Sequence, residues 1–541
     1  MKLLKIISWA LFAASLAALA FCVYLLVIGF PVPDWVNEIT KMKDIRKPFQ
    51  LFLVLFLAAI LIHPKRMKKL NCLNGILSTQ KAFWALAAVY TLLFSWHEIA
   101  EYLAIEINFI PFGFYDTMLY YIGQGKIHFT GYLHGFYHIN NGMFLLWPVW
   151  QIFQSSLVLI FAYPVILVSA AIPLYYLARR YFSGSALPLV IAFCYLNYRY
   201  LQNMIEMNFT VESFYPVFIL SAVYFAVTQK WIGYGLFVLL TLSVKEDAPF
   251  YMIAFGVILL FMRGKRWAGA ATIAASAAYF YWIHEILVAW TGSDIFVRDA
   301  KNFREYGATP FEVIKHFVFN LPDVIRDFLG TKEARKTLIK AFGHLLFLPV
   351  LSPFAVPSLA ALFPLFMQGG ASFTGLQFQY AAPFIGFIFA ALVDALRRLK
   401  NWTDRIPKIQ GFVIAGLAVT LVFLNGGNFK IPRVDAEDLK TIAMAKSVPA
   451  EALFVTHGHL LPYIGYREKN YYFQQPYEKP DNPEHTSYAN ADYYLLARGV
   501  NLFPMDEGWF EAKLAELKAR PDYELVQDDG VRYLFRKKVV V

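Results

Sequence analysis

The chain has 541 residues, 58% of them hydrophobic and 18% aromatic, and only 16% charged. Soluble domains carry about 25% charged residues, so this composition excludes a disordered chain, a coiled coil and a soluble enzyme of ordinary surface. The net charge of +11 is unevenly placed: residues 431–541 hold 14 Lys and Arg against 17 Asp and Glu, a net of −3, which leaves +14 for residues 1–430. Short cytoplasmic loops of membrane proteins collect Lys and Arg in this way. No basic cluster is interleaved with a stacking platform, so nucleic acid is not an expected partner. Cys22, Cys72 and Cys194 lie in or beside apolar segments without metal-ligand spacing, and they imply neither a disulfide framework nor a zinc site.

A hydrocarbon core of about 30 Å needs about 20 apolar residues per helix. The first such stretch, 6–30, follows Lys2 and Lys5. It is too long for a signal-peptide core and reads as an uncleaved helix with a cytoplasmic N-terminus. The second, 49–63, returns to the basic run 64–69. Further spans are expected at 83–105, 152–177, 186–200, 214–227, 231–244, 249–262 and 267–290. Arg179, Arg180, Lys230 and the run 263–266 mark the cytoplasmic side, which places 108–150, 202–213, 245–248 and 291–343 outside. Residues 344–367 are interrupted by Pro349, Pro353, Pro357 and Pro364. They read as two short helices that dip in and return, hinged near Ser352 and Pro353, an arrangement that only surrounding protein or a water-filled cavity permits. Spans at 378–396 and 412–424 complete a bundle of about a dozen.

The tail is a different object. Short β-rich runs at 452–457, 470–474, 492–497 and 531–535 alternate with helical patterns at 436–446 and 508–518. The expected fold is therefore mostly α: a polytopic transmembrane helical bundle over 1–430, with large outer loops at about 108–150 and 291–343, and a small extracytoplasmic α/β domain over 431–541. The expected location is the plasma or inner membrane, multi-pass.

Ionisable residues inside spans are costly and mark function by default. The third span ends in WHEIAEYLAIE, which puts His97 and Glu101 on one helix face. This HExxE pattern is half a zinc motif without the second histidine, and a polar brace or the wall of an aqueous cavity explains it more simply. His284 and Glu285 make a similar pair in the ninth span. In the first outer loop Asp116 sits among aromatics, followed by His128, His134 and His138. Tyr115, Tyr120, Tyr121 and Trp147 suit an interfacial belt, whereas an acid among them is desolvated towards the pKa of a general base. A helix N-cap is the plainer alternative for Asp116. Lys245, Glu246 and Asp247 fill a tight outer turn. The lysine can neutralise a lipid phosphate and the carboxylates can orient a substrate or hold a divalent cation, although a solvated hairpin tip would look the same. Glu206 and Glu212 face the same side and can join them. No cofactor is fixed by these residues.

The motifs GFYDTMLYY (113–121), HINNGMFLLWPVW (138–150), PLYYLARRYF (173–182), NFTVESFYPVFIL (208–220), LSVKEDAPF (242–250), FQYAAPFIGFIF (378–389) and LLPYIGYR (460–467) occur in this order. Together they resemble the predicted-membrane-protein family known as domain of unknown function 2079, placed in the GT-C superfamily of polyprenyl-phosphate-dependent glycosyltransferases. The chain departs from that pattern at Pro111, where the family has the first of two loop acids, at Met207–Val211, where only the following Glu212 is kept of an FDFHPE motif, and at Gln379, which replaces the histidine before Tyr380. The resemblance implies an inverting transfer of a sugar from a polyprenyl-phosphate carrier to a glycan, lipid or protein acceptor on the outer face of the bilayer. It implies Asp116 as general base and Lys245 as phosphate contact, with Arg298 and Arg304 as alternatives. His138, Glu212, Glu246 and Asp247 would line the cavity, with His97, Glu101, His284, Gln379 and Tyr380 as further lining. A transporter or lipid flippase, and a catalytically silent envelope scaffold, are the competing readings.

Overall fold

The computed structural model describes residues 2–28, 66–125, 140–291, 310–368, 370–400 and 432–538 except 465–469, 475–477 and 483–484, plus isolated positions within 51–59, 303–308 and 413–420. Among the described residues, five stretches are long and apolar enough to cross a membrane: Lys5–Cys22, Gln80–Leu103, Leu157–Tyr181, Val211–Thr228 and Ala371–Arg398. Shorter apolar helices, Leu187–Leu196, Trp231–Val244, Ala248–Leu260 and Ala355–Met367, accompany them. At about 1.5 Å per residue the shortest of these covers about half of a hydrocarbon core. The expected span at 186–200 is accordingly two helices, Leu187–Leu196 and Arg199–Ile205, broken at Asn197 and Tyr198. The expected 152–177 span appears as the single long stretch Leu157–Tyr181, whose helix is interrupted only at Ala170. The expected hinge near Ser352 separates a 3-10 turn, Leu348–Leu351, from the helix Ala355–Gln368. The 49–63 and 412–424 spans lie largely outside the described residues.

The axis of the bundle is the helix Ala382–Arg398, buried along its length from Ala382 to Leu396. It crosses the helix Phe214–Thr228 closely at Gly386, where a Cβ would sit 2.9 Å from Ile219 Cβ. Gly256 and Gly269 make a second such crossing, with a Cβ on Gly269 falling 2.5 Å from the Gly256 carbonyl oxygen. Small residues at these points let helices approach where lipid supplies no hydrophobic drive between them.

The two ends of the bundle differ in charge. At one, buried Asp394 binds Arg397 and Arg398, each at 2.7 Å, and accepts the Ser352 hydroxyl at 2.8 Å. Arg397 also lies over the Tyr181 ring, next to Arg179 and Arg180 at the end of their helix. Cations suit these helix C-termini. The acids of the sequence analysis gather at the other end.

The tail forms a five-stranded sheet among the described residues: β1 (Phe454–Thr456), β2 (Asn470–Tyr472), β3 (Tyr493–Ala497), β4 (Tyr523–Asp528) and β5 (Arg532–Lys537), in the order β2-β1-β3-β5-β4. β1 pairs in parallel with β2 and β3, and β5 runs antiparallel to β3 and β4. The expected helices appear as Ala436–Ser447 and Glu507–Ala519. β4 was not expected, because most of its residues are half-buried or exposed and it lacks a clean apolar alternation. The sheet packs on the bundle: Ile105 joins Phe454, Leu460 and Tyr463 in one apolar cluster, and the Tyr463 hydroxyl donates to the Tyr102 carbonyl.

Candidate functional site

The Lys-Glu-Asp triplet lies between the helices Trp231–Val244 and Ala248–Leu260, the second begun by Pro249 near its N-terminus. Lys245 is extended, so its side chain leaves the helix axis and reaches Glu212, with Nζ 2.9 Å from Oε1. The Tyr115 hydroxyl lies 3.4 Å from Glu212 Oε2, and the Tyr215 hydroxyl donates to Asp247 Oδ1 at 2.5 Å. Glu246 is also buried. The 3-10 turn Phe378–Ala381 packs against the turn Val211–Ser213, which brings Tyr380 within electrostatic reach of Lys245 and Glu212. Gln379 Oε1 is buried without a hydrogen-bond partner among the described residues. Burial by itself pulls the Lys245 pKa down, but Glu212, Glu246 and Asp247 outweigh it and hold the ammonium well above its ordinary value. Burial raises the Asp247 pKa, against the opposing pull of Lys245 and Tyr215.

A second cluster adjoins the first through the segment 208–212. Asn208, at φ 63°, donates its side-chain amide to Glu101 Oε2 at 2.5 Å and Glu98 Oε2 at 3.2 Å, while its Oδ1 accepts the Asn108 N–H. Asparagine tolerates this left-handed backbone better than most residues. His97 is fully buried. Its Nε2 is 3.5 Å from Glu101 Oε1 and 3.8 Å from Glu206 Oε1, and its Nδ1 is 3.8 Å from Glu98 Oε1. Phe209, next to Asn208, packs its ring 5.4 Å from Tyr115 of the first cluster and 5.9 Å from Tyr163, whose hydroxyl donates to the Met204 carbonyl.

Asp116 occupies a third position. It lies one residue beyond Tyr115 on the helix Phe109–Gly123, and that step turns it away from Glu212. The Ser156 hydroxyl lies 2.9 Å from Asp116 Oδ2 and 3.1 Å from the Pro462 carbonyl oxygen. Asp116 thus sits buried where the bundle meets the tail.

The fold therefore joins Lys245, Asp247 and Glu212 in one cluster with Glu246 and Tyr380 close by, and places His97 and Glu101 beside it. Glu206, expected with the triplet, instead faces His97. His138, Arg298 and Arg304 lie outside the described residues, as does the His284 side chain. Sequence reasoning assigned Tyr115 to the interfacial belt and passed over Tyr215, Ser156 and Asn208. Their roles depend on helix rotation, which leaves no local signal. A cavity of about 230 Å³ lies elsewhere, lined by apolar residues such as Trp9, Phe12 and Phe56 with Ser8 and Cys72.

No curated protein matches the chain. A family described as "Predicted membrane protein (DUF2079)" matches residues 111–524, a region that takes in the Lys245 cluster, Asp116, Glu206, Asn208 and the strands β1 to β3, while His97, Glu98 and Glu101 precede it. A membrane-embedded bundle with this match over most of its length belongs to the DUF2079 family of predicted membrane proteins.

Proposed function

We propose that the protein is an integral-membrane glycosyltransferase that moves a sugar, with inversion, from a polyprenyl-phosphate donor to a glycan, lipid or protein acceptor on the outer face. The observation that carries this reading is the Lys245–Glu212 pair, 2.9 Å apart and ringed by Tyr115, Tyr215 and Asp247, at the end of the bundle opposite Arg397 and Arg398. Groups so far apart in sequence are not gathered in lipid without a use for their charge. The Arg397–Arg398 end suits the cytoplasm, so positive-inside logic turns the Lys245 end and the sheet outward.

A glycosyl phosphate brings its own leaving group. The protein has to hold donor and acceptor in line, take a proton from the acceptor hydroxyl and offset charge on the departing phosphate. The resemblance assigns the proton to Asp116, which Ser156 holds one helix step away from the Lys245 cluster, so in this reading the acceptor approaches from the junction with the tail and the donor phosphate from Lys245. Lys245 meets the phosphate by exchanging one anion, the Glu212 carboxylate, for another. The tyrosine hydroxyls offer donors and acceptors to the sugar.

The test is a transfer assay in proteoliposomes carrying polyprenyl-phosphate sugar. Asp116→Asn should retain donor binding and lose transfer by at least 100-fold, the scale of a lost general base. Full transfer in that variant would remove Asp116 from the mechanism.

A further inference from the structure

We infer that His97, Glu101 and Glu206 form a binding site for a transition-metal dication, with Glu98 and Asn208 as its supporting shell. The second histidine missing from the HExxE pattern is replaced in space by a carboxylate from another helix. His97 and Glu101 share one face of Gln80–Leu103, and Glu206 caps the C-terminus of Arg199–Ile205.

The separations favour a shared ion over direct bonding. His97 Nε2 stands 3.5 Å from Glu101 Oε1 and 3.8 Å from Glu206 Oε1, and the three atoms lie within 4.8 Å of one another. Hydrogen bonds between such groups close to about 2.7–3.2 Å. Ligands of a tetrahedral ion with bonds of about 2.1 Å stand about 3.4 Å apart. The two distances from His97 match that spacing to within a few tenths of an ångström, and the partly exposed Glu206 side chain is the one that has to close onto the ion.

The surroundings supply an independent indication. Glu98 Oε1 is completely buried without a hydrogen-bond partner among the described residues, and it faces the other ring nitrogen, His97 Nδ1, at 3.8 Å. Once closed from 3.8 Å to hydrogen-bond distance, a carboxylate behind a metal-bound histidine fixes its tautomer and raises its basicity. Asn208 holds the outer oxygens of Glu98 and Glu101, which leaves Glu101 Oε1 turned to His97. Among the described residues no lysine or arginine pairs with Glu98 or Glu101. Two buried carboxylates without a strong cation are expensive, and a dication offsets both. The Glu206 side chain is 34% exposed, so an ion can enter there and keep an open position for water or a phosphate oxygen. One imidazole and two carboxylates suit Zn2+ or Mn2+ better than Mg2+ or Ca2+, which favour oxygen alone.

The inference does not rest on sugar transfer, and its test needs no activity. The full chain, purified in detergent and stripped with a chelator, is titrated with Zn2+ by calorimetry, and bound metal is counted after gel filtration. About one Zn2+ per chain is expected, with affinity reduced at least tenfold in His97→Asn and in Glu206→Gln, and tenfold or more in Glu98→Gln through loss of the supporting carboxylate. Glu206→Gln is nearly isosteric at a partly exposed position, so it separates lost ligation from lost fold, as read by thermal melting without metal. Absence of Zn2+ binding in the wild type, or unchanged affinity in a folded Glu206→Gln, would overturn the site.

Discussion

The two polar clusters at the acidic end both gather carboxylates but balance their charge differently. Around Lys245 an ammonium sits on Glu212 and a tyrosine hydroxyl covers Asp247. Around His97 an imidazole and an asparagine amide stand among Glu98, Glu101 and Glu206 at distances too long for direct imidazole–carboxylate bonds. A buried acid is matched by a cation, held by hydrogen bonds or kept protonated. In the first cluster the chain itself supplies the opposing charge. In the second, the inferred dication would supply it.

The largest effect should come from breaking the balanced cluster. Lys245→Ala leaves Glu212 and Asp247 buried without their cation and should cost about 3–5 kcal/mol, the scale for one lost member of a buried pair. The paired change Lys245→Met with Glu212→Gln should cost much less, because both charges leave together. Thermal unfolding in detergent reads both. Additive losses would show that the two side chains do not act as a unit.

A smaller effect is expected at the joint between the clusters. Asn208→Asp exchanges two donated hydrogen bonds for like-charge repulsion and should destabilise the metal-free protein by about 2 kcal/mol. Added Zn2+ should recover more of that loss in the variant than it adds to the wild type, since the new charge lies beside the inferred ion. Equal metal effects in both proteins would separate Asn208 from the second cluster.

A third test contrasts His97 with a buried histidine of the opposite kind. His457 Nε2 accepts the Ala497 N–H at 3.0 Å, which requires a neutral ring, and burial lowers its pKa from 6.5 to about 3. Burial lowers His459 to about 4. Both folded values lie below the unfolded one, so their stabilising contribution is complete above about pH 6.5 and declines as the pH falls towards 4 and 3. The slope is at most about 1.4 kcal/mol per pH unit for each histidine. Hydrogen exchange of β1 and β3 should follow this window, and His457→Gln should flatten it. An unchanged profile in that variant would assign the pH dependence elsewhere.

Much of this was legible in the chain. Apolar length marked the helices, arginine placement separated the two ends, and the Lys245–Asp247 triplet stood out because three charges interrupt an apolar hairpin. The sheet was legible apart from β4, whose polar residues face solvent. The directions of individual side chains were not. Tyr115 and Asp116 are neighbours in sequence, yet about 100° of helix rotation sends one to Glu212 and the other to Ser156. That rotation is set by burial of Phe112, Met118 and Leu119 against distant helices. Glu206 and Glu212 likewise read as one acidic turn, and the left-handed Asn208 between them delivers each to a different cluster.

The proposal that the Lys245 end receives a phosphate-linked isoprenoid is tested most directly by native mass spectrometry of the purified protein. The wild type should carry a polyprenyl phosphate or its glycosylated form, and the folded Lys245→Met, Glu212→Gln protein should have lost it. A wild type free of isoprenoid lipid, or a charge-free pair that keeps it, would contradict that claim.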